Sequence, residues 1–357
     1  MTHVVATISG HGFGHLSISA PVLNRIYQEI PDLSLTIISG LSRERLHTRI
    51  HVPFAYQHSL TDSGVAMDPG LSVRVVETAT AYRLLHRHWE QHIRDYACKL
   101  GELGCDLVLS NVSCLSLAAA RHLGIPAIAI CSLNWADIYA YYCHEFQGFE
   151  RIHDQMVMAY NSADVFLKPT PCMPMNGLTN TRLLGPIAAF GVDRKHDIHH
   201  RLGVDPSCKL VLVAMGGHDM KLSVDWPART DIHWLVSRHW SVTHPSTAAF
   251  EDLGLPFLDL LASCDLLIGK PGYGTFTEAA CADKPVLYLS RADWPEERYL
   301  IDWLRQHGRC KQIAPERLRG GDFIDDVLSL LGNGPVSCRP EACGVLQSAA
   351  AVRQMLN

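Results

Sequence analysis

The chain reads as an α/β protein built from two doubly wound parallel sheets, and three observations carry that reading. Short continuous apolar runs alternate with segments of helical periodicity, the alternation recurs in both halves, and each half opens with a strand running straight into glycines. At 357 residues the chain exceeds one ordinary core, so length points to about two domains, and two domains imply a cleft. A composition of 47% hydrophobic and 19% charged residues belongs to a globular chain able to bury that much core.

His3 to Ser9 is the first apolar strand, and after a glycine turn Leu16 to Glu29 carries Leu16, Ala20, Leu23, Ile26 and Tyr27 at helical spacing. Leu33 to Ser39 is the next strand. Tyr82 to Leu103 reads as one long helix bearing Arg83, His86, Arg87, His88 and His92, a solvated or cleft-facing surface rather than a metal site, because the ligand set is thin. Leu107 to Ser110, a helix near Cys114 to Leu123, Ala127 to Cys131 and Val165 to Leu167 complete a first domain over residues 1–168. The Pro-, Gly- and Asn-rich stretch 169–205 reads as a connection. A second domain over 206–340 repeats the pattern with strands at Lys209 to Ala214, Ile232 to Val236, Cys264 to Ile268 and Val286 to Leu289, and residues 341–357 form a closing helix.

Charge and cysteine usage exclude several classes. A formal net charge of -5 gives no basic field, so nucleic acid is not expected as a partner. The twelve cysteines are scattered singly with no C-x-x-C, and no secretory leader precedes the first strand, so a reduced, cytoplasmic protein without a disulfide framework or structural zinc is expected. No apolar run approaches the roughly 20 residues that a bilayer requires, so no integral membrane segment is expected and any membrane contact is peripheral.

Leu266 to Glu278, L-L-I-G-K-P-G-Y-G-T-F-T-E, packs a buried strand, a glycine turn and a helix start into one unit. Gly272, Gly274 and Thr275 would offer unpaired backbone N–H groups to a diphosphate, and Glu278, one turn further on, could reach a ribose. Thr275 and Glu278 also stand in capping-box spacing, which would only satisfy the helix start. Ser9 to His15, S-G-H-G-F-G-H, must lie at the carboxyl edge of the first sheet, where ligands bind. Its glycines do not make G-x-G-x-x-G, and no segment matches G-x-x-x-x-G-K-[ST], so neither a nicotinamide cofactor nor a P-loop is expected. His15, or second His11, is a candidate general base, its plain alternative being a helix-start hydrogen bond, and Asp137 is a candidate to orient it. Gly216 and Gly217, in A-M-G-G-H-D, repeat the strand-then-glycine logic and suit a phosphate, or an ordinary turn. Asp293, Glu296 and Glu297 follow the strand Val286 to Leu289 and are candidates for a donor sugar, although acidic residues also collect at helix starts.

Together these loops resemble GT-B glycosyltransferases, whose two Rossmann-like domains face a cleft. The stretch G-K-P-G-Y-G-T-F-T-E resembles the donor signature of the lipid II-forming N-acetylglucosaminyltransferase and its relatives, and His15 stands where their N-terminal glycine loop ends in histidine. G-H-G-F-G-H, Asn134 to Tyr142, C-M-P-M from Cys172, G-K-P-G-Y-G-T and D-W-P-E-E-R-Y-L also resemble the glycosyltransferase-like N-terminal region of plant L-arabinokinase. That protein's kinase phosphate loop has no counterpart in this sequence, so kinase activity is not implied. The resemblance implies metal-independent, inverting transfer from a nucleotide-diphosphate sugar, expected to be UDP-linked, to a hydroxyl acceptor, with no cofactor. A sugar-nucleotide epimerase or hydrolase and a noncatalytic sugar-nucleotide sensor remain as alternatives.

Overall fold

A computed structural model describes residues 2–357 apart from 69–71, 216–223, 225, 241, 243 and 292. The chain divides into two compact units, Met1–Ile187 with Ala342–Asn357, and Ala188–Glu341.

The first unit is a seven-stranded, wholly parallel sheet of β1 (His3–Ile8), β2 (Ser34–Ser39), β3 (Ala55–His58), β4 (Leu107–Asn111), β5 (Ala127–Ile130), β6 (Val165–Pro169) and β7 (Thr181–Leu184), in the order β3-β2-β1-β4-β5-β6-β7. Its helices are α1 (Phe13–Glu29), α2 (Arg43–His47), α3 (Val75–Arg87), α4 (Trp89–Leu103), α5 (Cys114–Leu123), α6 (Trp135–Cys143) and α7 (Phe149–Asn161). β1 and β4 are covered on both faces, which is why they read as unbroken apolar runs.

In the second unit α8 (Lys195–Leu202) precedes β8 (Lys209–Ala214), β9 (Ile232–Val236), β10 (Thr247–Ala249), α9 (Phe257–Ser263), β11 (Leu266–Gly269), α10 (Tyr273–Cys281), β12 (Val286–Leu289), α11 (Glu297–His307), β13 (Cys310–Ile313), α12 (Pro315–Gly320) and α13 (Ile324–Gly332). Its six strands are parallel in the order β10-β9-β8-β11-β12-β13, over a core in which Trp226, Trp234 and Phe323 pack ring against ring at 4.9 to 5.6 Å. α14 (Gly344–Leu356) returns to the first unit, packing on α1 with Arg353 3.2 Å from Glu29. A Cβ at Gly344 would lie 2.2 Å from the Gly185 carbonyl oxygen, so glycine permits that close approach.

Two sequence expectations change. The helix expected over Tyr82 to Leu103 is two helices broken at His88, whose backbone (φ -120°, ψ 36°) leaves the helical region. The histidine face is not wholly solvated either, since His86 is fully buried, stacked on Trp89 at 4.5 Å and bonded to Gln155 at 3.0 Å. Within the stretch read as a connection, Thr181–Leu184 pairs with β6 as the sheet's edge strand.

In both sheets the strand order reverses direction beside the first strand, between β1 and β4 and between β8 and β11. Loops leaving the carboxyl ends of such a pair splay apart and leave a crevice, which makes this the place to look for a ligand.

Candidate functional site

Ser9 to His15 leaves the switch point of the first sheet. Gly12 has φ 153° and ψ 176°, a conformation that side chains rarely adopt, and it lets the chain enter α1 within one residue. The third residue of that helix, His15, is 7% exposed and is held from β4: its Nδ1 is 2.9 Å from Asn111 Oδ1, while Asn111 Nδ2 donates to the His15 carbonyl oxygen at 3.1 Å. The second bond decides the first. An amide nitrogen spent on a carbonyl turns its oxygen toward the ring, so Nδ1 carries the proton and Nε2 the basic lone pair. Burial, with His11 nearby, lowers the His15 pKa to about 4 against the pull of Asn111, so the ring is neutral at pH 7 and Nε2 holds a lone pair.

His11 lies beside it, with ring centroids 6.5 Å apart, its Nε2 3.1 Å from the Val65 carbonyl oxygen and its ring edge-on to Trp135 at 5.0 Å. That carbonyl only accepts, so His11 donates from Nε2. Asp137 lies elsewhere, in the first turn of α6, where its backbone N–H bonds the Asn134 cap at 2.8 Å. Burial raises its pKa against the opposing pull of Asn134, His153 and Lys168. The position expected for Asp137, at His15 Nδ1, is filled by Asn111.

Sequence reading missed Asn111 and also Asp62, which follows β3. Ser9 Oγ donates to Asp62 Oδ1 at 3.0 Å and accepts the His11 backbone N–H at 3.3 Å, so this carboxyl fixes the histidine loop. Burial lifts the Asp62 pKa to about 6 against the opposing pull of the polar groups of Ser9, Trp135 and the Gly64 backbone. Gly64, with φ 52°, packs so closely that a Cβ there would lie 2.6 Å from the His11 ring. The available signal for Asn111 was its place at the end of the apolar run Leu107 to Leu109, in a strand that is buried throughout. The T-D-S-G turn holding Asp62 carries no pattern that separates it from an ordinary loop.

In the second unit α10 begins at Tyr273, with Gly272 as its cap and no side-chain cap bond. Thr275 therefore lies inside the first turn, and the capping-box reading of Thr275 and Glu278 does not apply. A glycine cap brings no side-chain acceptor of its own to the helix start. Glu278 lies one turn deeper and is 1% exposed. Two cations that the sequence reading passed over flank this helix start. Lys270 has its pKa lowered to about 8 by burial and by Arg291, and Arg291 donates to the Pro271 carbonyl at 3.3 Å while lying over the Trp294 ring at 5.4 Å.

The three acidic residues after β12 are differently placed. Asp293 is exposed. Glu296 is buried and accepts the Trp294 indole N–H at 3.1 Å. Glu297 is buried and tied to the Ser290 hydroxyl, to the Arg291 backbone N–H at 2.8 Å and to the Arg291 guanidinium at 3.4 Å, so it sets the cation's position. Gly216 and Gly217 lie outside the described residues.

The two switch-point sheets define a GT-B fold, the architecture of glycosyltransferases. Among solved structures the chain resembles the calicheamicin glycosyltransferase CalG4 (TM-score 0.62, 12% identity, 99% of this chain and 94% of that one). It also resembles UGT2 of Phytolacca americana, complexed with UDP-2-fluoroglucose and pterostilbene (0.58, 12%, 100% and 94%). A candidate UDP-N-acetylglucosamine 2-epimerase from Listeria monocytogenes shares the fold as well (0.60, 15%, 99% and 96%). In sequence, the chain is 22% identical over 313 residues to L-arabinokinase of Arabidopsis thaliana, matching 83% of this chain and spanning only 29% of that protein. It is 23% identical over 257 residues to an uncharacterized glycosyltransferase of Methanopyrus kandleri, covering 66% of this chain and 73% of that one. No protein-family model matches. Among the described residues no helix is long and apolar enough to cross a membrane.

Proposed function

We propose that the chain is a glycosyltransferase that moves a sugar from a UDP-linked donor to a hydroxyl acceptor with inversion and without a metal. The observation that carries this reading is His15, whose Nδ1 is committed to Asn111 and whose Nε2 is left as the base. The acceptor hydroxyl gives its proton to Nε2 as its oxygen bonds the anomeric carbon, and the bond from that carbon to the diphosphate breaks, its electron pair leaving on the diphosphate oxygen. In the second unit, the start of α10 with Lys270 and Arg291 is proposed to supply the positive field that stabilises this leaving group. Gly216 and Gly217 are proposed as further phosphate contacts and Glu278 as the ribose holder, both on motif resemblance. Of the acidic residues after β12, Asp293 is the proposed contact to the donor sugar, because it is exposed while Glu296 and Glu297 are buried.

The test separates the two halves of the claim. His15→Ala is expected to lose at least about a hundredfold in kcat, the usual contribution of a positioned base, while calorimetric UDP affinity stays within twofold of wild type. Full turnover by His15→Ala would remove it from the role, and unchanged UDP affinity in Glu278→Ala would remove the ribose assignment.

A second reading, sugar-nucleotide epimerisation or hydrolysis, is supported by the Listeria likeness and by Asp62 as a further titrating group near His15. Product analysis without any acceptor distinguishes it: UDP and free sugar, or a changed sugar nucleotide, would favour this reading over transfer. Tight UDP-sugar binding with no turnover under any condition would instead favour a sensor.

A further inference from the structure

Between the last turns of α4 and the edge of the first sheet lies a cavity of about 180 Å³. Ile38 and Gln57 line it as register partners on β2 and β3, so both side chains leave the same face of the sheet. Ser59, two residues on from Gln57, returns to that face, its N–H continuing the ladder to the Ser39 carbonyl at 3.1 Å. The His58 ring between them is turned to the Tyr56 hydroxyl, 2.9 Å from its Nδ1. From α4 come Tyr96, Lys99, Glu102 and Leu103, whose spacings put them on one side of the helix.

The walls restrict what the cavity can hold. Ile38 and Leu103 are apolar, while the Gln57 amide and the Ser59 hydroxyl both donate and accept. Lys99 and Glu102 bring both signs of charge to one wall, and neither makes an ion pair among the described residues. Tyr96 is 4% exposed, and the chain leaves its hydroxyl without a hydrogen-bond partner. Folded proteins pair nearly all such atoms, so this wall calls for a partner from outside the chain. A ligand of one sign would meet a like charge at Lys99 or at Glu102, whereas a ligand carrying both signs meets two opposite ones. The two side chains are rooted about 5–6 Å apart, a span that an ammonium and a carboxylate on one carbon can bridge. A cavity of roughly 150 Å³ holds benzene, so the volume suits a molecule of about six to nine non-hydrogen atoms.

We propose that this cavity binds a small zwitterion of amino-acid size, its carboxylate on Lys99, its ammonium on Glu102 and its remaining atoms against Ile38, Leu103 and Gln57. The site shares no residue with the histidine loop or the start of α10, so it does not depend on the transfer reading. The chain nonetheless joins it to that loop. Three residues beyond Ser59 stands Asp62, which accepts the Ser9 hydroxyl at 3.0 Å, and two further on Gly64 packs against the His11 ring. A ligand that fixes Ser59 therefore acts on the turn that clamps His11.

The experiment is donor-free: NMR titration of the isotope-labelled protein with L-serine, L-threonine and L-valine, and with acetate, ethylammonium and glycerol as single-charge and neutral controls. Wild type is compared with Lys99→Gln, Glu102→Gln and Tyr96→Phe. Lys99 and Glu102 are exposed, so their variants are expected to fold. At least one amino acid is expected to bind, to outbind every control by tenfold or more, and to lose about tenfold in affinity in both charge variants, the effect of one hydrogen bond to a charged group. Tyr96→Phe should weaken it severalfold. Binding should also shift the amide signals of residues 60–64 and the His11 ring. No binding by any amino acid would mean a crevice that holds water alone and would overturn the proposal. Binding that neither charge variant weakens, or acetate binding as tightly as the amino acids, would overturn it too. Shifts confined to Gln57, Ser59 and α4 would overturn the link to the histidine loop.

Discussion

Asp62 and His15 are shifted in opposite senses by the same burial, and their pH dependences differ accordingly. An acid whose pKa rises from 3.8 unfolded to about 6 folded contributes stability that is present at low pH and lost as pH rises between those values. A histidine lowered from 6.5 to about 4 contributes stability that is present above 6.5 and lost as pH falls toward 4. Asp62→Asn keeps an oxygen for the Ser9 hydroxyl and removes the ionisation, so at pH 7.5 it should stabilise the protein by up to about 3 kcal/mol, two pKa shifts' worth. Thermal melting checks this: the gain over wild type should shrink to near zero at pH 4, and a gain that ignores pH would contradict it. A site that is less stable than it could be is the expected cost of function. Lys270 belongs at the same scale. Losing a charged hydrogen bond of about 1.5–3 kcal/mol, Lys270→Ala should weaken UDP binding by tenfold or more in calorimetry.

At the scale of elements, the turn holding Gly64 is a clamp on His11. Gly64→Ala meets both a left-handed φ and a ring 2.6 Å from the new Cβ, so it should destabilise the protein by at least about 1 kcal/mol and reduce kcat with little change in UDP affinity. Equal losses in both constants would contradict that assignment. The central strands were legible in the sequence because burial on both faces turns them into apolar runs, and Lys209–Ala214, Ile232–Val236 and Val286–Leu289 lie where those runs lie. Strands β3, β7, β10 and β13 were not legible, since as edge or near-edge strands they keep exposed or half-exposed residues and lose that signature. The glycine loops were legible for a related reason, because a strand meeting glycines and a helix is a local pattern. Asn111 and Asp62 join His15 and His11 only through sheet order, so a chain read residue by residue had no means of pairing them.

For the whole molecule, the proposed function gives the two units separate tasks, and α14 is the element that completes the first. Its buried face, with Ser348, Ala349 and Val352 fully or almost fully covered, lies on α1, the helix that holds His15. Removing residues 342–357 should lower the melting temperature and abolish transfer while calorimetric UDP binding persists, because α10 belongs to the other unit. Loss of UDP binding in that truncation would contradict the division of tasks. The central claim is metal-free sugar transfer with His15 as base, and it is tested most directly by UDP release from UDP-sugars with a panel of hydroxyl acceptors in excess EDTA, for wild type and His15→Ala. The account predicts acceptor-dependent UDP release that survives EDTA and is lost in the variant. Release that needs a divalent metal, or that proceeds equally well without His15, would contradict it.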